Sequence, residues 1–143
     1  MWKKILIAND GSENAIKGID VGLRLAKKFN AEVHIIYIEE ELPHYAAAIR
    51  EVEESKREIN RYFQRINEEI MDMAKSIRVK PEIHVVQGHA VEKVIKFAIY
   101  GKFDLLVIGF MGHSRIFGKV MGSTAQNIIR LSPCSILVVK EEK

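Results

Sequence analysis

The chain has little cysteine and proline, and it has no long hydrophobic run. Its 143 residues include one cysteine, three prolines and one tryptophan. A single cysteine excludes an internal disulfide and a zinc site built from several thiolates, and it is typical of a reducing compartment, so we expect a cytoplasmic protein. A membrane-spanning helix needs about 18 consecutive apolar residues, and every apolar stretch of this chain is shorter, which predicts no membrane span.

The charge pattern argues against a nucleic-acid partner. The formal net charge is +3, and lysine and arginine do not cluster as densely as in nucleic-acid-binding proteins, so we expect no nucleic-acid partner. A ligand with a few negative charges fits this balance, and ordinary surface charge is the alternative. His34, His84 and His89 share no ligand spacing along the chain, which predicts no zinc site.

Two common phosphate-binding motifs are also absent. Five residues separate Gly112 from Gly118 where a P-loop has four, and Val120 stands where the magnesium-binding hydroxyl would be. The dinucleotide fingerprint G-x-G-x-x-G does not occur. A phosphate site in this chain therefore needs another pattern.

The length predicts one domain over residues 1–143. With 48% hydrophobic and 29% charged residues, the composition is that of a globular protein. The first residues, "MWKKILIAND", carry lysines, but their apolar stretch is too short for a signal peptide, and we expect a first strand there.

Strand and helix patterns alternate along the chain. Most of the strands are continuous apolar runs, which is typical of parallel strands covered by helices on both faces. The pattern predicts a doubly wound, Rossmann-like α/β fold with a five-stranded parallel sheet. In such sheets ligands bind beyond the carboxyl ends of the strands, where the strand order reverses. The predicted strands are 3–8, 32–38, 81–88, 103–109 and 134–140, and the predicted helices are 13–29, 44–77, 90–100 and 123–131.

The stretch "GFMGHSRIFGKVMGST", residues 109–124, lies between a predicted strand and a predicted helix. Glycine lets backbone N–H groups approach an anion closely, and the start of a helix offers unpaired N–H groups and a favourable dipole. Ser123 and Thr124 add hydroxyl donors. These features favour a phosphate ligand, and a flexible loop with a capped helix is the alternative.

The spacing of this stretch is more specific than its composition. Gly109, Gly112, Gly122 and Ser123 form G-x2-G-x9-G-[S/T], which resembles the ATP-binding pattern of the universal stress protein family. The stretches "ILIANDGSENA", "AEVHIIYIEE" and "VVQGHAVEKVIKFA" are similar to other parts of that family, so the resemblance covers nearly the whole chain. Met111 departs from it where a histidine is common.

The resemblance implies that ATP, with Mg²⁺ or Mn²⁺ on its phosphates, lies between the first and fourth strands. Asp10 would contact the nucleoside beside the backbone of Ala8, and the backbone of Ile38 would meet the adenine edge. Asp10 has an alternative role as a turn residue that bonds the backbone near Ser12.

The phosphate end of the implied site takes its residues from the glycine-rich stretch. Gly109 would pack against the ribose and the first phosphate. The cations in this stretch have an alternative role as solvated surface groups. The remaining implied contacts are Gly112, His113, Arg115, Gly122, Ser123 and Thr124.

The resemblance implies a nucleotide-dependent switch in a stress response, with a homodimer formed through residues 135–140. The charged segment 46–65 is a candidate surface for an unknown protein partner, and a solvated helix face is the alternative. Two alternative functions remain.

The first is a weak ATPase or autophosphorylating enzyme, although no positioned general base or carboxylate pair is evident. The second is a dimeric interaction module that binds no nucleotide. For the single cysteine, Cys134, we expect burial rather than reactivity.

Overall fold

The computed structural model of the chain describes residues 1–9, 13–39, 49–109 and 123–140. Strands and helices alternate within these ranges, as the sequence pattern predicts. The strands are β1 (Lys4–Asn9), β2 (Glu32–Glu39), β3 (Glu82–Gln87), β4 (Leu105–Gly109) and β5 (Ser135–Val139). The helices are α1 (Glu13–Phe29), α2 (Ile49–Ser76), α3 (Ala90–Tyr100) and α4 (Ser123–Leu131).

The strands form one parallel sheet in the order β3-β2-β1-β4-β5. The predicted doubly wound five-stranded α/β fold is confirmed. From β1 the chain winds outward to β3, and it then crosses back past β1 to begin the other half of the sheet with β4. The strand order therefore reverses between β1 and β4, which is where this class of sheet binds ligands.

Helices cover both faces of the sheet, which explains why the central strands have no polar face. Ile5 and Ile7 of β1 pack in the cluster that contains α1 and α2, whereas Leu6 packs in the cluster that contains α3 and α4. All three side chains are at most 1% exposed. Burying such a side chain contributes roughly 1.5–3 kcal/mol, so β1 anchors both layers. Among the described residues, no helix has the length and apolarity needed to cross a bilayer.

The structure adjusts several predicted boundaries. Strand β4 begins at Leu105 rather than at Phe103. The Phe103 N–H donates to the Ala98 carbonyl at 3.1 Å, which makes that residue part of the turn after α3. Helix α2 is described from Ile49, and residues 44–48 of the predicted helix lie outside the described residues.

Candidate functional site

The sheet opens between β1 and β4 at the carboxyl end of its strands. Within the described ranges, the pairing of these two strands ends at Ile7↔Val107. Strand β1 nevertheless stays paired with β2 through Asn9↔Tyr37, and β4 stays paired with β5 through Gly109↔Val139. The last two residues of β1 and of β4 therefore border a crevice at the point where the strand order reverses.

One wall of this crevice is formed by closely packed backbone. Gly109 ends β4 and is half-buried. Gly18 of α1 lies against it, since a Cβ atom at Gly18 would lie 3.8 Å from the Gly109 nitrogen. Helix α4 is the next element along the chain after β4, and it begins at Ser123. Both Ser123 and Thr124 are exposed. Their hydroxyls and the first N–H groups of α4 are accessible donors.

The other wall is formed by β1 and β2. Ala8 is half-buried on β1, and the buried Asn9 follows it with only 3% of its surface exposed. Ile38 lies one residue beyond the last β1 partner on β2. Its side chain is buried in the core, so only its backbone could meet a ligand. Asn9 was not among the predicted site residues, although a polar residue at the end of an apolar strand was a usable signal.

The structure therefore brings Ala8, Gly109 and the end of β2 at Ile38 to one end of the sheet, and α4 starts after that end of β4. Ser123 and Thr124 are placed at the start of that helix, as predicted. The other predicted site residues lie outside the described residues: Asp10, Gly112, His113, Arg115 and Gly122.

The opposite end of the sheet holds a side-chain cluster that the sequence reasoning missed. His34 of β2 and His84 of β3 lie with their Nδ1 and Nε2 atoms 2.8 Å apart. The two histidines share no ligand spacing along the chain, but parallel pairing of β2 with β3 makes them diagonal neighbours on one face, since His34 pairs with Glu82 and Ile36 pairs with His84. Burial, and then the charge of His34, lowers the pKa of His84, which favours its neutral imidazole. His89 precedes α3 and is exposed.

Comparison with known proteins agrees with this architecture. The model of the universal stress protein family matches residues 1–140. A universal stress protein of Methanocaldococcus jannaschii is 29% identical over 144 residues, covering 100% of this chain and 85% of that protein. The structure of universal stress protein UspA from Lactobacillus plantarum matches with a TM-score of 0.82 at 18% identity, covering 96% of this chain and 97% of that one.

A second similar structure contains a ligand. The crystal structure of a universal stress protein in complex with cAMP has a TM-score of 0.71 and 25% identity, covering 96% of this chain and 97% of that one. The family match spans nearly the whole chain, and the similar structures share its fold. The chain belongs to the universal stress protein family.

Proposed function

We propose that this chain binds an adenine nucleotide in the crevice between β1 and β4. The observation that carries the proposal is the loss of β1–β4 pairing beyond Ile7↔Val107, while both strands continue beside their outer neighbours. The family match supports it, and so does the cAMP complex of a universal stress protein with the same fold. A base or ribose can enter such a gap edge-on between the two strands.

The phosphate end of the proposed site lies at Gly109 and at the start of α4. Glycine at the end of β4 leaves the backbone open to an anion, and the first turn of α4 adds unpaired N–H groups with the hydroxyls of Ser123 and Thr124. Hydrogen bonds to charged phosphate contribute about 1.5–3 kcal/mol each. We assign Gly112, His113, Arg115 and Gly122 to this end on the sequence pattern.

The nucleoside end of the proposed site is formed by β1 and β2. The backbone of Ile38 offers hydrogen-bonding groups to the adenine edge, because its side chain is committed to the core. Asp10, which follows β1 directly, offers a carboxylate that accepts from ribose hydroxyls, beside the backbone of Ala8. The preferred nucleotide is ATP with Mg²⁺ or Mn²⁺ on its phosphates.

We further propose that the nucleotide acts as a switch for contacts with other chains in a stress response in the cytoplasm. Strand β5 lies at the edge of the sheet, and pairing of residues 135–140 with a second copy would cover that edge. Helix α2 carries exposed Arg57, Arg61 and Gln64, which lie in the charged segment proposed to meet a protein partner.

The test is isothermal titration of nucleotide-stripped protein with Mg-ATP, compared with Gly122→Val. A valine side chain would occupy the space in which the sequence pattern places a phosphate, so we expect about a 100-fold loss of affinity, equivalent to about 2.7 kcal/mol. Ser76→Ala is the control, because its hydroxyl bonds the Met73 carbonyl at the far end of α2. Equal affinity in wild type and Gly122→Val would contradict the proposed site.

Two further readouts separate the switch from its alternatives. Light scattering with and without ATP reports the oligomeric state, and a monomer at micromolar concentration in both conditions would contradict the dimer. Chromatography of the nucleotide after long incubation shows whether ATP stays intact. ATP that turns over well above background, and no longer does so in Asp10→Ala, would favour the enzyme instead.

A further inference from the structure

The amino end of the sheet holds three ligand-type atoms at metal-binding separations. His34 Nδ1 lies 2.8 Å from His84 Nε2 and 3.2 Å from Glu82 Oε2, and the third side of this triangle, from His84 Nε2 to Glu82 Oε2, is 3.7 Å. Zinc binds histidine nitrogen and carboxylate oxygen at about 2.0–2.2 Å, so tetrahedral ligands lie about 3.3 Å apart. The observed triangle averages close to that value.

The position for an ion follows from the same three distances. The point in the plane of the triangle that is equidistant from its corners lies about 1.9 Å from each atom. An ion at the zinc bond length therefore fits slightly above this plane without movement of the backbone. A small shift of the exposed Glu82 carboxylate is enough to even out the three separations.

The converging atoms of this cluster have few protons to share. His34 Nε2 lies 2.7 Å from Glu32 Oε2, and because a carboxylate only accepts, His34 donates from Nε2. A neutral His34 then has only a lone pair at Nδ1, which faces the Glu82 carboxylate and His84. With its one ring proton on Nε2, His84 donates to His34 Nδ1, which leaves that nitrogen and the Glu82 carboxylate as two acceptors 3.2 Å apart. A cation at the meeting point is bound by both of these atoms, and by His84 Nε2 when the His84 proton moves to its other ring nitrogen.

The surroundings fix the rings in this arrangement. Phe103 packs edge-on to His34 with ring centroids 5.0 Å apart, and Phe97 packs on His84 at 4.7 Å. The Glu32–His34 hydrogen bond selects the tautomer and orientation of His34, which is the common role of an outer carboxylate in zinc sites. Lys4 Nζ lies 3.6 Å from Glu32 and engages that carboxylate, which leaves Glu82 as the ligand.

We propose that His34, Glu82 and His84 form a binding site for a divalent transition-metal ion of the zinc type. Two imidazoles and one carboxylate suit zinc and its borderline neighbours rather than calcium or magnesium. Solvent supplies the fourth ligand, since Glu82 is exposed and His84 is half-buried. The ion would cross-link the first residues of β3, an edge strand, to β2. The site is independent of the proposed nucleotide site at the other end of the sheet.

The test is titration of chelator-treated, nucleotide-free protein with Zn²⁺, followed by calorimetry, and with Co²⁺, followed by visible absorption. Nucleotide is excluded because its phosphates bind these ions themselves. We expect one ion per chain with micromolar or tighter affinity, and the intense visible bands of four-coordinate cobalt. Zn²⁺ should also raise the thermal midpoint, because it binds the folded chain.

Matched variants assign the site. Glu82→Gln and His84→Gln should each lower the affinity at least tenfold, and Glu32→Ala should lower it by about 10–100-fold through loss of the outer hydrogen bond. His89→Gln, an exposed histidine that does not lie in the cluster, should bind as wild type does. Circular dichroism and an unchanged thermal midpoint in the absence of metal confirm that the variants are folded.

Two results would overturn the proposal. The first is no binding of Zn²⁺ or Co²⁺ to wild type, which would leave the cluster as a hydrogen-bonded histidine pair. The second is binding with octahedral cobalt spectra that Glu82→Gln and His84→Gln do not weaken, which would indicate adventitious surface sites. Failure of the ATP titration alone would leave these results unaffected, so the two proposals fail separately.

Discussion

The carboxyl end of the sheet presents mainly backbone groups, whereas the amino end presents polar side chains. At the carboxyl end, the crevice between β1 and β4 is bordered by backbone and small residues such as Ala8 and Gly109. At the amino end, long polar side chains meet across the sheet, with His34 and His84 bonded and Asp104 bridging to β1. One end is suited to an extended ligand with many acceptors, and the other is suited to a single ion.

This difference decides which end can be found in the sequence. A backbone site on one loop leaves a local pattern, as the glycine spacing from Gly109 to Ser123 does. A side-chain site is assembled by strand register, which brings residues 50 positions apart into contact in the case of His34 and His84. No local spacing records that contact.

The largest expected effect is a separation of the two ends by mutation. Gly122→Val should lower the affinity for ATP about 100-fold and leave Zn²⁺ affinity unchanged. Glu82→Gln should do the reverse, since its carboxylate lies at the amino end of β3. Calorimetry of each variant with each ligand checks this. If either variant lost affinity for both ATP and Zn²⁺, the two ends of the sheet would be coupled, which would contradict the separation proposed here.

Much of the fold was predictable because its strands are buried on both faces. The continuous apolar runs of β1 and β4 fixed the parallel class, and strand bounds were mostly right to within one residue. The predicted start of β4 at Phe103 was two residues too early, because composition does not distinguish an apolar residue in a turn from one in a strand. The crevice followed from strand order, but the β1–β4 register and the burial of Asn9 depend on packing that no local pattern encodes.

The next expected effect concerns two glycines of α1 that differ in their neighbours. A Cβ atom at Gly22 would lie 2.5 Å from the Ile7 Cδ1 atom, whereas one at Gly18 finds its nearest neighbour at 3.8 Å. Gly22→Ala should therefore destabilise the fold by about 1–3 kcal/mol through overpacking. Gly18→Ala should stabilise it by about 0.5–1 kcal/mol, since alanine favours a helix over glycine. Urea denaturation measures both, and destabilisation of equal size would contradict the packing difference.

A third effect concerns the amino end of the sheet alone. The Asp104 carboxylate accepts the backbone N–H groups of Lys3 and Lys4 at 2.9 and 3.0 Å, which ties the start of β1 to that of β4. Asp104→Ala removes both bonds and should cost about 1–2 kcal/mol, because the site is only partly buried. Asp104→Asn keeps one acceptor and should lose less. The exposed Asp72→Ala on α2 is the control, and an equal loss there would contradict this role.

The smallest expected effect is on Cys134, which precedes β5 at the same end. Burial raises the pKa of its thiol, and the hydrogen bond with Ser132 only partly offsets that rise. At pH 8, close to the pKa of an ordinary free thiol, Cys134 therefore forms less thiolate than such a thiol does. Its alkylation by iodoacetamide should be several-fold slower than that of glutathione. Unfolding in urea exposes the thiol, lowers its pKa toward the ordinary value and should restore the rate. A native rate equal to that of glutathione would mean that Cys134 is open to solvent. The amino end of β5 would then be less well covered than that of β2, where His34 is 8% exposed.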